Sequence, residues 1–131
     1  MQSINRVVLV GRLTRDPELR STPSGTSVCS LRIACNSMHR DGEGELTERP
    51  NFFDVSVFGA AAESVSNYMH KGSLVGIDGR LSWREWETAE EQRRQAVSVI
   101  ADNVQFLERP GEREGELAGV GAGDGGDELA L

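Results

Sequence analysis

A chain of 131 residues, 37% hydrophobic and 27% charged, fits one globular domain with a short additional segment. It has no run of about 18 apolar residues, which excludes a membrane-spanning helix, and its first residues lack the layout of a signal peptide, so we expect a cytoplasmic protein. The net charge of −7 argues against a nucleic-acid partner only until its distribution is considered. Residues 110–131 hold one arginine and six acidic residues, whereas residues 1–109 hold 13 basic and 15 acidic residues.

The pattern of apolar residues predicts mainly strands in the first part of the chain. In chain order we predict a strand at 5–13, a turn at 21–27, a strand at 28–35, a polar loop at 39–50, a strand at 52–59, a helix at 60–72, a strand at 73–81, and one or two strands within 95–107. About five strands with one short helix between the third and the fourth are typical of a five-stranded OB-fold barrel. The predicted fold class is therefore all-β.

Alternation along the strand at 28–35 places Leu31 and Ile33 on one face, together with Cys29 and Cys35. Six residues along a strand span about 20 Å, which is far beyond the reach of a disulfide. We therefore interpret both cysteines as small core residues.

Two of the predicted strands carry apolar side chains on a face that the barrel interior does not cover. Phe52 and Phe58 fall on the outer face of the strand at 52–59, where they are unfavourable in water unless something covers them. The first strand is apolar on both faces, with Val8 and Val10 on the second one. A barrel buries only one face, so we expect this second face to contact another subunit, or to be covered by a helix or loop.

The segment RLSWREWETAEEQRR (80–94) allows two interpretations. Its Glu, Gln, Arg and Ala content and the three-residue spacing of its tryptophans favour a helix. Its position directly after a strand, with β-branched residues resuming at Val97, favours a long hairpin that pairs 74–88 with 93–101.

In the hairpin, alternation places Trp86 on one face with Arg80 and Arg84, and Trp83 on the other face. A stacking ring beside fixed positive charge is how proteins grip single-stranded nucleic acid without reading its sequence. The hairpin therefore predicts a nucleic-acid site on the face of Trp86.

Residues 110–131, PGEREGELAGVGAGDGGDELAL, are rich in glycine and lack aromatic side chains. Such a segment buries too little apolar surface to offset its ordering entropy, so we predict a disordered acidic tail. GAGDGG at 121–126 matches the dinucleotide-binding pattern only by its letters, because no strand precedes it and no helix follows.

Several blocks of the chain resemble the bacterial single-stranded DNA-binding proteins. INRVVLVGRLTRDPELRSTPSGTSVCSLRIA carries the family's first strand, its D-P-E-x-R block and its turn, and NFFDVSVFGAAAESVSNYMHKGSLVGIDGRL carries its short helix and its K-G-S-x-V-x-I-x-G-R-L block. The resemblance covers about residues 1–108 and implies an OB-fold domain at 1–109, followed by the tail at 110–131. It also implies a homotetramer, a dimer of dimers, on which single-stranded DNA wraps during replication, recombination and repair.

The resemblance implies roles for individual residues. Four of them match stacking positions of the family: Trp86, Phe58, Phe52 and His39. The residues expected to contact phosphates are Arg6, Arg20, Lys71 and Arg84, to which we add Arg32 from its outer-face register and Arg80 from its position in the hairpin. Asp54, Ala60 and Glu85 stand where the family often has a basic residue, which predicts fewer phosphate contacts.

The tail departs from the family's acidic tip, because the expected Pro-Phe is missing. The residues that would bind replication and repair proteins here are Asp127, Glu128, Leu129 and Leu131. The alternative function is an OB-fold paralogue, similar to primosomal proteins, whose main work is contacting other proteins. The chain has only two histidines and no metal-binding or P-loop motif, so we predict neither catalysis nor a cofactor.

Overall fold

The computed structural model describes residues 3–108. Its elements are β1 (Val7–Leu13), β2 (Glu18–Ser21), β3 (Ser27–Arg40), β4 (Leu46–Phe58), α1 (Ala60–Tyr68), β5 (Leu74–Glu87) and β6 (Arg93–Phe106). The strands form one sheet in the order β1-β5-β6-β4-β3-β2, and β1 also pairs with β3. That last pairing closes five strands into a barrel, as predicted from the sequence, with β2 as an extra edge strand.

The core lies inside this barrel and under α1. Its buried residues are Leu13, Cys29, Leu31, Ile33, Val55, Val57, Ala62, Val65, Met69, Val75, Ile77 and Val99. The predicted faces of β3 and β4 are confirmed, since the odd-numbered residues from Cys29 to Ile33 are buried while Phe52 and Phe58 are exposed. The helix lies on the core through Ala62 and Val65, both fully buried.

Two glycines allow the strands to approach closely. A Cβ at Gly11 would lie 2.5 Å from the carbonyl oxygen of Ala34, where β1 meets β3 to close the barrel. A Cβ at Gly79 would lie 2.1 Å from the carbonyl oxygen of Ile100, next to a bulge at which the β5–β6 register shifts. Only a residue without a side chain fits at these two points.

The structure corrects two predictions and adds one strand that was not predicted. The segment at 39–50 is not a loop, because β3 and β4 continue as a two-stranded ribbon as far as Arg40 and Leu46. The short strand β2 was not predicted, and all four of its residues are exposed. The helix ends at Tyr68 rather than at residue 72, because Met69 adopts an extended conformation.

The hairpin interpretation of residues 80–94 is confirmed over its full length. β5 and β6 pair from Val75 with Phe106 to Glu87 with Arg93, and Glu91 in the turn has a positive φ of 61°. The region at 95–107 is therefore part of one long strand. Of the residues described, no helix is long and apolar enough to span a membrane.

Candidate nucleic-acid interface

The outer side of the sheet carries exposed aromatic rings from two strands, β4 and β5. Phe52 and Phe58 share a face of β4, and Trp86 lies on β5. Their exposed fractions are 50%, 44% and 41%, so none is sealed in the core. Ser56, on the same face of β4, is registered with Ile100 of β6, which pairs with Arg80 of β5. The face that carries the phenylalanines therefore continues onto the side of β5 that carries Trp86. We call it the outward face.

At one end of the outward face, Phe58 lies beside Val28, and Val28 lies beside Arg20 on the next strand. The Arg20 guanidinium donates to the Ser30 hydroxyl at 2.8 Å, which holds it over β3. This end therefore combines an exposed ring with a fixed positive charge.

The middle of the outward face is occupied by an arginine and a carboxylate. Arg32 and Asp54 are directly opposite each other on β3 and β4, and their side chains form an ion pair at 3.2 Å. The Arg32 guanidinium also lies 5.1 Å from the centre of the Phe52 ring. Asp54 thus holds Arg32 beside Phe52 and neutralises part of its charge.

The β5–β6 hairpin carries the other end. Arg84 lies 4.5 Å from the centre of the Trp86 ring, and Arg94 is directly opposite Trp86 on β6. The sequence prediction placed Arg84 and Trp86 on one face correctly but missed Arg94. The predicted pairing of 74–88 with 93–101 did not fix this register: with residue 88 opposite residue 93, Gln95 would oppose Trp86. Only the observed pairing of Glu87 with Arg93 brings Arg94 there, on the same face as the indole.

Three of the six predicted phosphate contacts are paired with carboxylates. Besides Arg32, Arg6 forms an ion pair with Asp78 at 2.7 Å, and Arg80 forms one with Asp102 at 2.7 Å. These pairs lower the net positive charge that the face presents to a phosphate backbone. Asp102 lies at the β5–β6 bulge, and its proximity to Arg80 could not be read from a regular register.

Three of the predicted residues lie away from the outward face. His39 pairs with Thr47, and alternation along β3 puts it on the opposite face of the ribbon from Phe52. Lys71 lies in the turn after α1, where its backbone N–H donates to Asp16 at 2.8 Å. Arg6 precedes β1 and reaches the outward face only through Asp78.

A cleft opens between the two long ribbons. β4 and β6 are registered at only two positions, Val55 with Val99 and Ser56 with Ile100. Beyond them the β3–β4 ribbon and the β5–β6 hairpin separate. The gap has a volume of about 340 Å³ and is lined by Phe52, Phe53, Asp54, Leu81, Val97, Ser98 and Val99.

The two thiols lie close to or within the core. Burial raises the pKa of the Cys29 thiol, and the positive charge of Arg20 offsets part of that rise. Burial also raises the pKa of the Cys35 thiol. Both thiols are therefore poorly ionised at neutral pH, as expected of structural cysteines. Among residues 3–108 no group of histidine, cysteine and acidic side chains is arranged to hold a metal ion.

Several known proteins are similar to this chain in sequence and in fold. The sequence model described as "Single-strand binding protein family" matches residues 4–107. "Single-stranded DNA-binding protein 2" of Staphylococcus aureus strain Mu50 is 50% identical over 105 residues, which are 80% of this chain and 73% of that protein. "Single-stranded DNA-binding protein" of strain N315 is 50% identical over 105 residues, 80% of this chain and 66% of that protein.

Two solved structures are also similar. A deletion mutant of the single-stranded DNA binding protein from Thermus aquaticus superposes with a TM-score of 0.72 at 34% identity, over 80% of this chain and 51% of that one. A Plasmodium falciparum structure described as "SSB complex with ssDNA" superposes with a TM-score of 0.76 at 25% identity, over 82% of this chain and 98% of that one. With a family match over most of the described residues and relatives at half identity, this chain belongs to the single-strand binding protein family.

Proposed function

We propose that this chain binds single-stranded DNA without sequence preference, through its outward face. The observation that carries the proposal is the placement of Phe52, Phe58 and Trp86, half-exposed and on one side of the sheet among guanidinium groups. Every base has a flat face that stacks on such rings, so binding of this kind tolerates any sequence. The names of the S. aureus relatives and of the P. falciparum complex support the same ligand.

The proposed roles follow from position. Phe58, Phe52 and Trp86 stack on bases, while Arg20, Arg32, Arg80 and Arg84 neutralise phosphates along the same face. Arg6, Lys71 and His39 lie away from it and would contact the strand where it enters or leaves the face. Binding protects the strand during replication, recombination and repair, and involves no catalysis. It takes place in the cytoplasm, where the chromosome of a bacterium lies.

The same proposal includes assembly into a homotetramer, a dimer of dimers. Val8 and Val10 point away from the core on β1, and Val8 is 71% exposed. Burying these side chains against a second subunit would remove apolar surface from water. DNA would then run over the outward faces of several subunits.

We further propose two functional regions, residues 1–109 for DNA binding and residues 110–131 for contact with other proteins. The second region, with Asp127, Glu128, Leu129 and Leu131, lies outside the described residues. Its acidic composition supports electrostatic contact with basic partners, the groups of the outward face included. The relatives' names favour DNA binding over the protein-interaction alternative as the main function.

Replacing Trp86 by alanine tests the proposal. One base–ring stack is worth about 1–3 kcal/mol, so the affinity for a labelled oligo-dT should fall by at least about fivefold in fluorescence anisotropy. Tyr68→Ala is the matched control, since Tyr68 is an exposed ring on α1 outside the proposed face. Absence of oligo-dT binding by the unmodified chain at low salt, or equal affinities of Trp86→Ala and Tyr68→Ala, would refute it.

A further inference from the structure

Trp83 is a large exposed aromatic residue to which the proposed function assigns no role. It lies three residues before Trp86 and therefore on the opposite face of the β5–β6 hairpin, paired with Val97. Both Trp83 and Val97 are 57% exposed. The indole N–H donates to the side chain of Gln95 at 3.1 Å, which satisfies the polar group and fixes the ring against the hairpin. The apolar face of the ring remains without a described partner.

Two neighbours of Trp83 line the cleft between the two ribbons. Val97, the cross-strand neighbour of Trp83, lines the cleft, and so does Leu81, two residues before Trp83 on the same face. On its other side the cleft is lined by Phe52 and Asp54, which belong to the outward face. The cleft is thus lined by residues of both faces, and Trp83 adjoins it through its cross-strand neighbour Val97.

The size and the chemistry of the cleft select its occupant. A volume of about 340 Å³ is at the lower limit for small-molecule sites and suits a single flat ring system. This volume is too small for a helix of a partner protein, which measures about 10 Å across with its side chains. The walls are mainly apolar, and Asp54 and Ser98 add hydrogen-bonding groups to them. This is the chemistry of a nucleobase, apolar on its faces and polar on its edge.

We propose that the cleft and Trp83 form a second base-binding site, on the side of the hairpin opposite Trp86. A strand bound on the outward face places one base in the cleft beside Phe52, and the next base stacks on Trp83. The hairpin is then contacted by DNA on both faces. This inference rests on the proposed function, because it extends the path of the same single strand.

The two tryptophans allow each face to be observed separately. The chain contains only Trp83 and Trp86, so Trp86→Phe leaves Trp83 as its sole indole and Trp83→Phe leaves Trp86. Each full-length variant is titrated with an end-labelled oligo-dT, with label anisotropy reporting binding and tryptophan emission reporting stacking. We expect quenching in both variants, saturating together with the anisotropy.

The outcomes separate the two proposals. Binding by anisotropy with unchanged emission from Trp83 would overturn this inference and leave the proposed function intact. Absence of any anisotropy change in the unmodified chain would overturn the proposed function itself. A shift of Trp83 emission with protein concentration in the absence of DNA would assign the ring to a contact between copies of the chain, and would also overturn the inference.

Affinity gives a second, independent measurement. Loss of one stack predicts that Trp83→Ala weakens oligo-dT binding at least about fivefold, and that Trp83→Phe, which keeps a ring, restores most of the affinity. Tyr68→Ala again serves as the control and should bind like the unmodified chain. Equal affinities of Trp83→Ala and the unmodified chain would overturn the inference, and thermal melts establish that each variant is folded.

Discussion

Replacing Asp54 by asparagine is expected to strengthen DNA binding. Asp54 forms an ion pair with Arg32 at 3.2 Å in the middle of the outward face, with 39% of the arginine side chain and 59% of the aspartate side chain exposed. Such an exposed pair contributes at most about 1 kcal/mol to stability, so Asp54→Asn should unfold almost like the unmodified chain. The same change removes a negative charge from the path of the phosphates and releases the guanidinium of Arg32.

The expected gain follows from charge. One charge interaction at about 4 Å in water is worth about 1 kcal/mol, or about a fivefold gain in affinity at low salt. One additional phosphate contact steepens the slope of log affinity against log salt by about 0.7. Between about 50 and 200 mM salt, the advantage of the variant should therefore shrink by about two- to threefold.

Anisotropy titrations of labelled oligo-dT at a series of salt concentrations measure both quantities. Glu90→Gln is the matched control, because it removes the same charge from the turn between β5 and β6, where no ion pair of Glu90 is found among residues 3–108. An identical salt slope for Asp54→Asn and the unmodified chain would refute the reasoning, since it would mean that Arg32 gains no phosphate when its carboxylate is lost.

Three further predictions concern the barrel, its thiols and the acidic segment. Gly79→Ala places a Cβ 2.1 Å from the carbonyl oxygen of Ile100 and should lower the free energy of unfolding by several kcal/mol. Gly76→Ala is the control: its Cβ would lie 3.4 Å from the nearest atom, so it should lower the free energy of unfolding far less. Similar urea midpoints for the two variants would contradict this prediction. Because burial raises the pKa of the Cys29 thiol, alkylation at pH 8 should be much slower in the folded chain than in urea, and equal rates would show that the thiol is accessible and ionised. Removing residues 110–131, with six acidic residues and one arginine, should tighten oligo-dT binding severalfold at low salt, and an unchanged affinity would count against competition with DNA.

Strands with one buried face could be predicted from the sequence. Alternation in β3 and β4 identified the core because apolar and polar residues then separate with a period of two. The hairpin was also predictable, since β-branched residues resume at Val97 after a charged turn. These features depend on which residue types are neighbours along the chain, and this can be seen directly in the sequence.

The remaining features depend on contacts that local composition does not encode. The outer part of the β3–β4 ribbon is exposed on both faces, so it carries no alternation and resembles a loop in the sequence. β2 has only four residues, all exposed, and forms by pairing with β3. The partners of Arg32 and Arg80 depend on cross-strand register and on a bulge, so the degree to which the face is neutralised could be seen only in three dimensions.

The parallel seam between β4 and β6 has a mechanical consequence. Only Val55–Val99 and Ser56–Ile100 are in register across it. The two ribbons are therefore paired with each other only at their base, next to the barrel. We therefore expect their spacing to change by small twists of each ribbon more easily than the packed interior below can deform. A purine and a pyrimidine differ by one ring, and a gap of adjustable width can hold either.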